Sequence, residues 1–258
     1  MFRFLLAPRW LALHLVFVLA IAGFVVLGSW QLDVYRESNS RQDVRDRVPV
    51  PIEEVTTAGS PLGDGVDHQV IATGTYLAEQ QLLVPGRIHD GVLGSYVLTP
   101  LQTGQGMVVP VIRGWVDDPD DAGTRVPEGE VRVTGFLLPP ETADYATVRS
   151  DRPLEDDQLG YIAPDTLAQR SGLPAADTVA GYVLLTAATP DSPPAPVVLD
   201  VDAVAPIRDV NPWQNLSYWA QWWVFALAAV AFWGSIVRSA VRSRRNSVSA
   251  PTPTHVPS

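Results

Sequence analysis

Residues 10–30 read WLALHLVFVLAIAGFVVLGSW, and the one ionisable side chain among them is His14. At about 1.5 Å of rise per residue this run makes a helix of roughly 30 Å, the thickness of a hydrocarbon core. A second uncharged run, WAQWWVFALAAVAFWGSIV, covers 219–237 and is followed by Arg238, Arg242, Arg244 and Arg245. Tryptophan at both ends of the first run and at the start of the second matches the aromatic belt of a membrane interface. A cleaved signal peptide competes for the first run, with Ala20-Ile21-Ala22 resembling a cleavage site. The apolar residues continue through Phe24-Val25-Val26-Leu27, beyond an ordinary signal core, and this favours an uncleaved anchor. A buried core helix competes for the second; its aromatic flank and basic stop argue for a membrane span.

The charges divide sharply. All 28 acids lie between residues 33 and 212. Of the 18 basic residues, all arginine, two precede the first apolar run and four follow the second, leaving 12 in the middle and a net charge there of −16. Basic flanks mark the cytoplasmic side, so both termini are predicted inside and the acidic middle outside a cell membrane. The tail NSVSAPTPTHVPS, polar and proline-rich, is predicted disordered. An acidic middle repels phosphate backbones and argues against nucleic-acid partners. Having neither cysteine nor lysine, the chain lacks disulfides, thiolate ligands, a P-loop lysine and Schiff-base chemistry.

The predicted layout is a cytoplasmic N-terminus (1–9), a membrane helix (10–30), an extracytoplasmic β-rich domain (31–212), a juxtamembrane segment with the second membrane helix (213–237), and a cytoplasmic tail (238–258). Residues 33–48 are polar and continue the first helix out of the membrane until Pro49-Val50-Pro51 breaks it. Strands are predicted at 69–76, at 81–84 (ended by Pro85-Gly86), at 95–101, at 107–116, at 131–138, at 183–186 and at 196–199. Gln102 to Gly106 turns the third strand into the fourth as a hairpin. One helix is expected at 164–171, ended by Gly172 and Pro174, and a loop at 141–160. Short strands with little helix favour an antiparallel barrel or sandwich, so the fold class is an α+β membrane protein with two terminal helices around a β-rich domain.

No catalytic constellation emerges. The four histidines, His14, His68, His89 and His255, lack zinc spacing, and Gly94-Ser95-Tyr96-Val97 is not a nucleophile elbow. Asp117-Asp118-Pro119-Asp120-Asp121 lacks calcium-loop order and reads as a solvated hairpin tip. Asn215-Leu216-Ser217 matches a glycosylation sequon beside the membrane and is taken as chance. Arg113, inside the apolar strand VVPVIRGWV, must be paired: either a structural salt bridge to one of the many acids or a contact with an anionic group such as a propionate. Trp30, Trp213, Tyr218, Trp219, Trp222 and Trp223 form either an ordinary aromatic belt or a surface for a flat apolar ligand.

Together these residues resemble the surfeit locus protein 1 family of haem-copper oxidase assembly factors. The resemblance is carried in order by Leu27-Gly28-Ser29-Trp30-Gln31, Gly74-Thr75-Tyr76, Arg87, Gly91-x-x-Gly94-x-Tyr96-x-x-Thr99-Pro100-Leu101, Arg113-Gly114-Trp115-Val116, Val131-x-Val133-x-Gly135 and Leu216-Ser217-Tyr218-Trp219-Ala220-Gln221-Trp222. It implies a non-enzymatic factor that helps mature the oxidase catalytic subunit. Haem a would be a transient cargo, with haem a synthase and membrane lipids as further partners. A tethered binding module without a role in haem handling is the alternative. The surface it points to comprises Trp30, Gln31, Arg113, Trp115, Tyr218 and Trp222. The chain departs from the family pattern at Val34, at Ile112 and at Asn215, which stands where the family has its proposed haem-ligating histidine. An amide is a poor iron ligand beside imidazole; His89 and Met107 are the other side chains able to take that role.

Overall fold

The computed structural model describes residues 6–145, 153–191, 193–207 and 212–248. It divides into two units, Met1–Ser40 with Arg208–Ser258, and Arg41–Ile207. The tail predicted at 238–258, disordered after Arg245, is corrected in its first part, since residues 238–248 continue the second long helix; residues from 249 onward lie outside the described residues, as does the centre of the 141–160 loop.

The first unit is a pair of helices. Helix α1 runs Pro8–Arg45 and carries its last turn into the second unit, and α5 runs Pro212–Val248. Each contains a stretch long and apolar enough to cross a membrane. The helix α1 ends before Pro49, as the restriction proline imposes on its neighbour requires. The two helices pack antiparallel. Phe17 stacks on Trp233 at 5.1 Å between ring centroids, while Phe24 meets Trp222 at 6.1 Å and Phe225 at 6.0 Å. Gly28 gives the room for this approach: a Cβ there would stand 3.6 Å from both the Trp222 Cβ and the Trp223 Nε1.

The second unit is built on seven strands: β1 (Val50–Pro51), β2 (Gln69–Tyr76), β3 (Leu82–His89), β4 (Val92–Thr103), β5 (Val108–Val116), β6 (Glu130–Leu138) and β7 (Tyr182–Thr189). Three short helices accompany them: α2 (Ile52–Val55), α3 (Pro164–Ser171) and α4 (Val201–Val204). The sheet order is β1-β2-β6-β7-β5-β4-β3, and β2 pairs again with β4. Strands β2, β6, β7, β5 and β4 therefore close a five-stranded barrel, with β1 and β3 as edge additions. Closure removes free edges from the ring. It depends on Gly74, where any Cβ would collide with the Gln102 carbonyl across the β2–β4 seam.

Two apolar clusters pack the barrel. One gathers Val70, Tyr76, Leu101, Val109, Val111, Val133 and Leu137; the other gathers Tyr96, Leu98, Ile112, Trp115, Phe136 and Leu184 with Leu167 of α3 and Val201 of α4. Alternation along β2 and β6 sends successive residues to opposite faces and makes both layers possible.

The expected fold class holds: two apolar helices accompany a β-rich domain with a closed, mainly antiparallel barrel, in which β7 inserts between β5 and β6 and runs parallel to β5, while β1 runs parallel to β2. Other expectations are corrected. Strand β3 does not stop at Pro85-Gly86. It is an edge strand, where a missing N–H is tolerated, and a register shift between Pro85 and Arg87 with Gly86 at φ 80° absorbs the irregularity. Residues 196–199 form no strand; Val197 makes one isolated bridge to Trp115. The acidic run at 117–121 is not a hairpin tip, because β5 and β6 are not paired with each other. Helix α3 matches its expected bounds, with Pro164 at its start and Gly172 capping it at φ 70°.

Candidate functional site

The named residues divide between the two units. In the helix pair, Trp222 lies against Phe24, and its indole Nε1 is buried without a hydrogen-bond partner among the described residues. Trp30 follows Gly28 by half a turn, and Tyr218 precedes Trp222 by one; antiparallel packing puts both at the same end of the pair. Both are exposed, and Gln31 is half-buried. The side chains of Trp213 and Asn215 lie outside the described residues.

In the β unit, Arg113 and Trp115 belong to different faces of the sheet. Val97 pairs with Gly114 and Leu98 with Ile112, so Arg113 is the extra residue of a β-bulge. The bulge aims the guanidinium toward Tyr76, whose ring centroid lies 5.7 Å away, while Trp115 joins the other cluster.

Arg113 is almost fully buried yet pairs with no carboxylate among the described residues, which corrects the salt-bridge expectation. Its Nη1 donates to Gln81 Oε1 at 3.1 Å and to the Thr124 carbonyl at 3.2 Å. Its Nη2 donates to the carbonyls of Gly123 at 3.2 Å and Arg125 at 2.8 Å. Three consecutive carbonyls at the end of the 3-10 turn Ala122–Thr124 thus replace an acid; the last carbonyls of such a turn lack internal partners and carry its negative end. Asp121, the last member of the acidic run, shapes this turn by accepting from the Gly123 N–H at 2.6 Å. Gln81 is fixed in turn, its Oε1 accepting from Thr99 Oγ1 at 2.8 Å and its Nε2 donating to Thr124 at 2.9 Å. Burial holds the Arg113 pKa below its usual value, and the neighbouring Tyr76 offsets part of that. Burial pushes the Tyr76 phenol up to about 12, with Arg113 opposing.

On the other face, Trp115 Nε1 donates to the Arg87 carbonyl at 3.0 Å, and its ring meets His89 at 5.3 Å. The Arg87 guanidinium lies 4.9 Å over the Tyr96 ring and pairs with buried Glu141 at 2.6 Å. Glu141 also accepts from the Ile162 N–H at 2.8 Å. Burial raises the Tyr96 pKa, Arg87 lowers it and Glu141 raises it further.

A family model described as the SURF1 family matches residues 18–227. The chain belongs to the SURF1 family. It is 30% identical over 264 residues to SURF1-like proteins of Mycobacterium tuberculosis and Mycobacterium bovis, covering 98% of this chain and 93% of theirs. It is also 30% identical over 125 residues to a SURF1-like protein of Dictyostelium discoideum, covering 44% of this chain and 45% of that one.

The SURF1 motif residues of the β unit now acquire physical roles. Gly74 closes the barrel, Thr99 and Arg113 both bond Gln81, and Tyr76 faces the Arg113 guanidinium. Gly94 lies under the Trp115 ring, where a Cβ would stand 2.5 Å from Trp115 Cζ2. Gly114 admits the 196–197 backbone, because a Cβ there would collide with the Val197 carbonyl. Sequence reading singled out Arg113 but missed its partners Tyr76 and Gln81. The available signal was that Tyr76, Thr99 and Arg113 all stand inside recognisable motifs. Met107 packs in the barrel core and His89 against Trp115.

The fit to haem can be judged from the donors present. His14 is the one histidine of the helix pair, and it packs on Trp233 at 4.7 Å, at the end opposite Trp30 and Tyr218. Among the described residues of the helix pair, the end bearing Trp30, Tyr218 and Trp222 offers flat apolar walls and no imidazole. Those residues suit contact with an apolar face and do not suit ligation of iron.

Proposed function

We propose that this membrane protein is an assembly factor for a haem-copper terminal oxidase, and that it helps haem a enter the catalytic subunit by holding partner surfaces rather than by ligating iron. The observation that carries the reading is the ordered motif set of the SURF1 family around two membrane-length helices. Asn215 in place of the family histidine supports contact over ligation, since an amide does not replace imidazole on iron. Trp30, Gln31, Tyr218 and Trp222 form the candidate surface for the catalytic subunit or the haem edge. The basic flanks support cytoplasmic termini and an extracytoplasmic β unit.

The test is a reduced-minus-oxidised spectrum of membranes from a strain lacking the gene. Loss of the haem a band with other cytochromes intact supports the assembly role. Restoration by the wild-type chain and equally by Asn215→His supports contact over ligation. An unchanged band with normal oxidase activity refutes the proposal and leaves a tethered binding module.

A further inference from the structure

Beside the Arg113 cradle lies a cleft of about 340 Å³, within the size range of small-ligand sites. Its walls are mainly apolar, including Pro127, Val131, Leu185, Ala188, Pro196 and Val198, and Tyr76 and Arg113 line it together. Two polar donors there are unspent. Tyr76 is more than nine-tenths buried, and among the described residues its hydroxyl has no hydrogen-bond partner. Arg113 has five N–H groups. Four go to Gln81, Thr124, Gly123 and Arg125, and Nε–H has no partner among the described residues. Among the described residues the cation has only neutral hydrogen-bond partners. Neither the Tyr76 hydroxyl oxygen nor the Arg113 Nε is among the fully buried unpartnered atoms of the described residues, so both stay open to the cleft that Tyr76 and Arg113 line, where an anion can reach them.

We infer that this cleft binds a small carboxylate on an apolar body, its oxygens accepting from the Tyr76 hydroxyl and the Arg113 Nε–H. The chemistry selects the class. Two donors and one positive charge match a monoanion, whereas a phosphate dianion needs more donors than the cleft supplies. The walls reward an apolar body. Asp191, exposed at the rim, opposes the anion and sets a ceiling on affinity. The inference does not depend on the assembly role.

The test uses the full chain in maltoside micelles and ligand-observed NMR with hexanoate, against hexanol of the same length. Hexanoate is expected to bind saturably and hexanol not. Tyr76→Phe removes only an unpartnered hydroxyl, so the fold is retained while hexanoate affinity falls about tenfold, the loss of one hydrogen bond to a charged group. Val198→Trp, at the exposed mouth, abolishes binding, and Asp191→Asn tightens it about two- to threefold. Displacement of hexanoate by protoporphyrin IX and not by its dimethyl ester assigns the acid to a tetrapyrrole side arm; no displacement assigns it to a free acid. Equal binding of hexanol and hexanoate overturns the inference. So does unchanged hexanoate binding in both Tyr76→Phe and Val198→Trp, or no binding by the wild-type chain.

Discussion

The last turn of α1 is tied to the β unit by a buried charge network, and Asp67→Asn tests how much that tie is worth. Asp67 is 1% exposed, and its two oxygens serve two arginines. Oδ1 accepts from Arg45 Nε at 2.9 Å and Nη2 at 2.6 Å, and Oδ2 accepts from Arg41 Nε at 2.6 Å. Arg45 is itself buried and also donates to Asp202 at 2.8 Å and to the Ala205 carbonyl at 2.7 Å. Asparagine keeps the backbone, since Asp67 sits at φ 68° and asparagine is among the residues that tolerate that region. It removes the charge and turns a donor toward Arg41. Removing one partner of a buried pair costs about 3–5 kcal/mol. Arg45 keeps Asp202 and Ala205, which places the expected loss at the low end, about 3 kcal/mol. Asp202 is 66% exposed, so Asp202→Asn is expected to cost about 1 kcal/mol or less. Pulse proteolysis of the full chain in micelles across a urea series reads both. A cost for Asp67→Asn within about 0.5 kcal/mol of that for Asp202→Asn refutes the reasoning, because burial would then not separate the two carboxylates.

Glu141→Gln uncouples the buried Arg87 pair but keeps an acceptor for the Ile162 N–H; a loss of about 2–3 kcal/mol in the same assay is expected, with a shift in Trp115 fluorescence as its ring loses a fixed Arg87. Gly114→Ala forces a Cβ into the Val197 carbonyl and is expected to cost about 1–3 kcal/mol and to raise protease cleavage near 195–198. Tyr76 predicts a pH dependence. With its folded pKa raised to about 12 against an unfolded value near 10, the folded state holds a proton that the unfolded state releases, so stability is constant below about pH 10 and falls above it. Tyr76 accounts for about 2–3 kcal/mol of the loss by pH 12, and Tyr76→Phe removes that share while Tyr96, also raised by burial, keeps its own; a slope as steep in Tyr76→Phe as in the wild type contradicts the assignment.

The legible part of the fold was the part governed by local pattern. Two uncharged runs gave the helix pair, alternation gave β2 and β6, and Pro164 with Gly172 gave α3. What escaped was set by tertiary placement. Pro85-Gly86 signals a stop in isolation, but an edge strand with a bulge carries the pair without losing a ladder bond. The insertion of β7 between β5 and β6 leaves no local trace, since strand order is decided by which apolar faces meet. Arg113 was legible as a buried cation needing partners, whereas its partners were not. Backbone carbonyls have no identity in a sequence, and three of its four donors' targets are carbonyls.

That choice of partners separates Arg113 from Arg87 by purpose. Arg87 meets a buried carboxylate, so the pair is electrically closed and its work is to pin Trp115 and Tyr96 in place. Among the described residues Arg113 meets three backbone carbonyls and the Gln81 side chain, so it is held in position with no carboxylate beside it. A chain with 28 acids has no shortage of carboxylates, and a structural cation would be cheapest beside one. Holding Arg113 by neutral groups and bulging the strand to face it toward Tyr76 is an arrangement whose stability improves when an anion arrives. A ligand that meets both donors should therefore raise the unfolding midpoint of the β unit with the logarithm of its concentration once that exceeds Kd, and it should do so for the wild-type chain far more than for Tyr76→Phe.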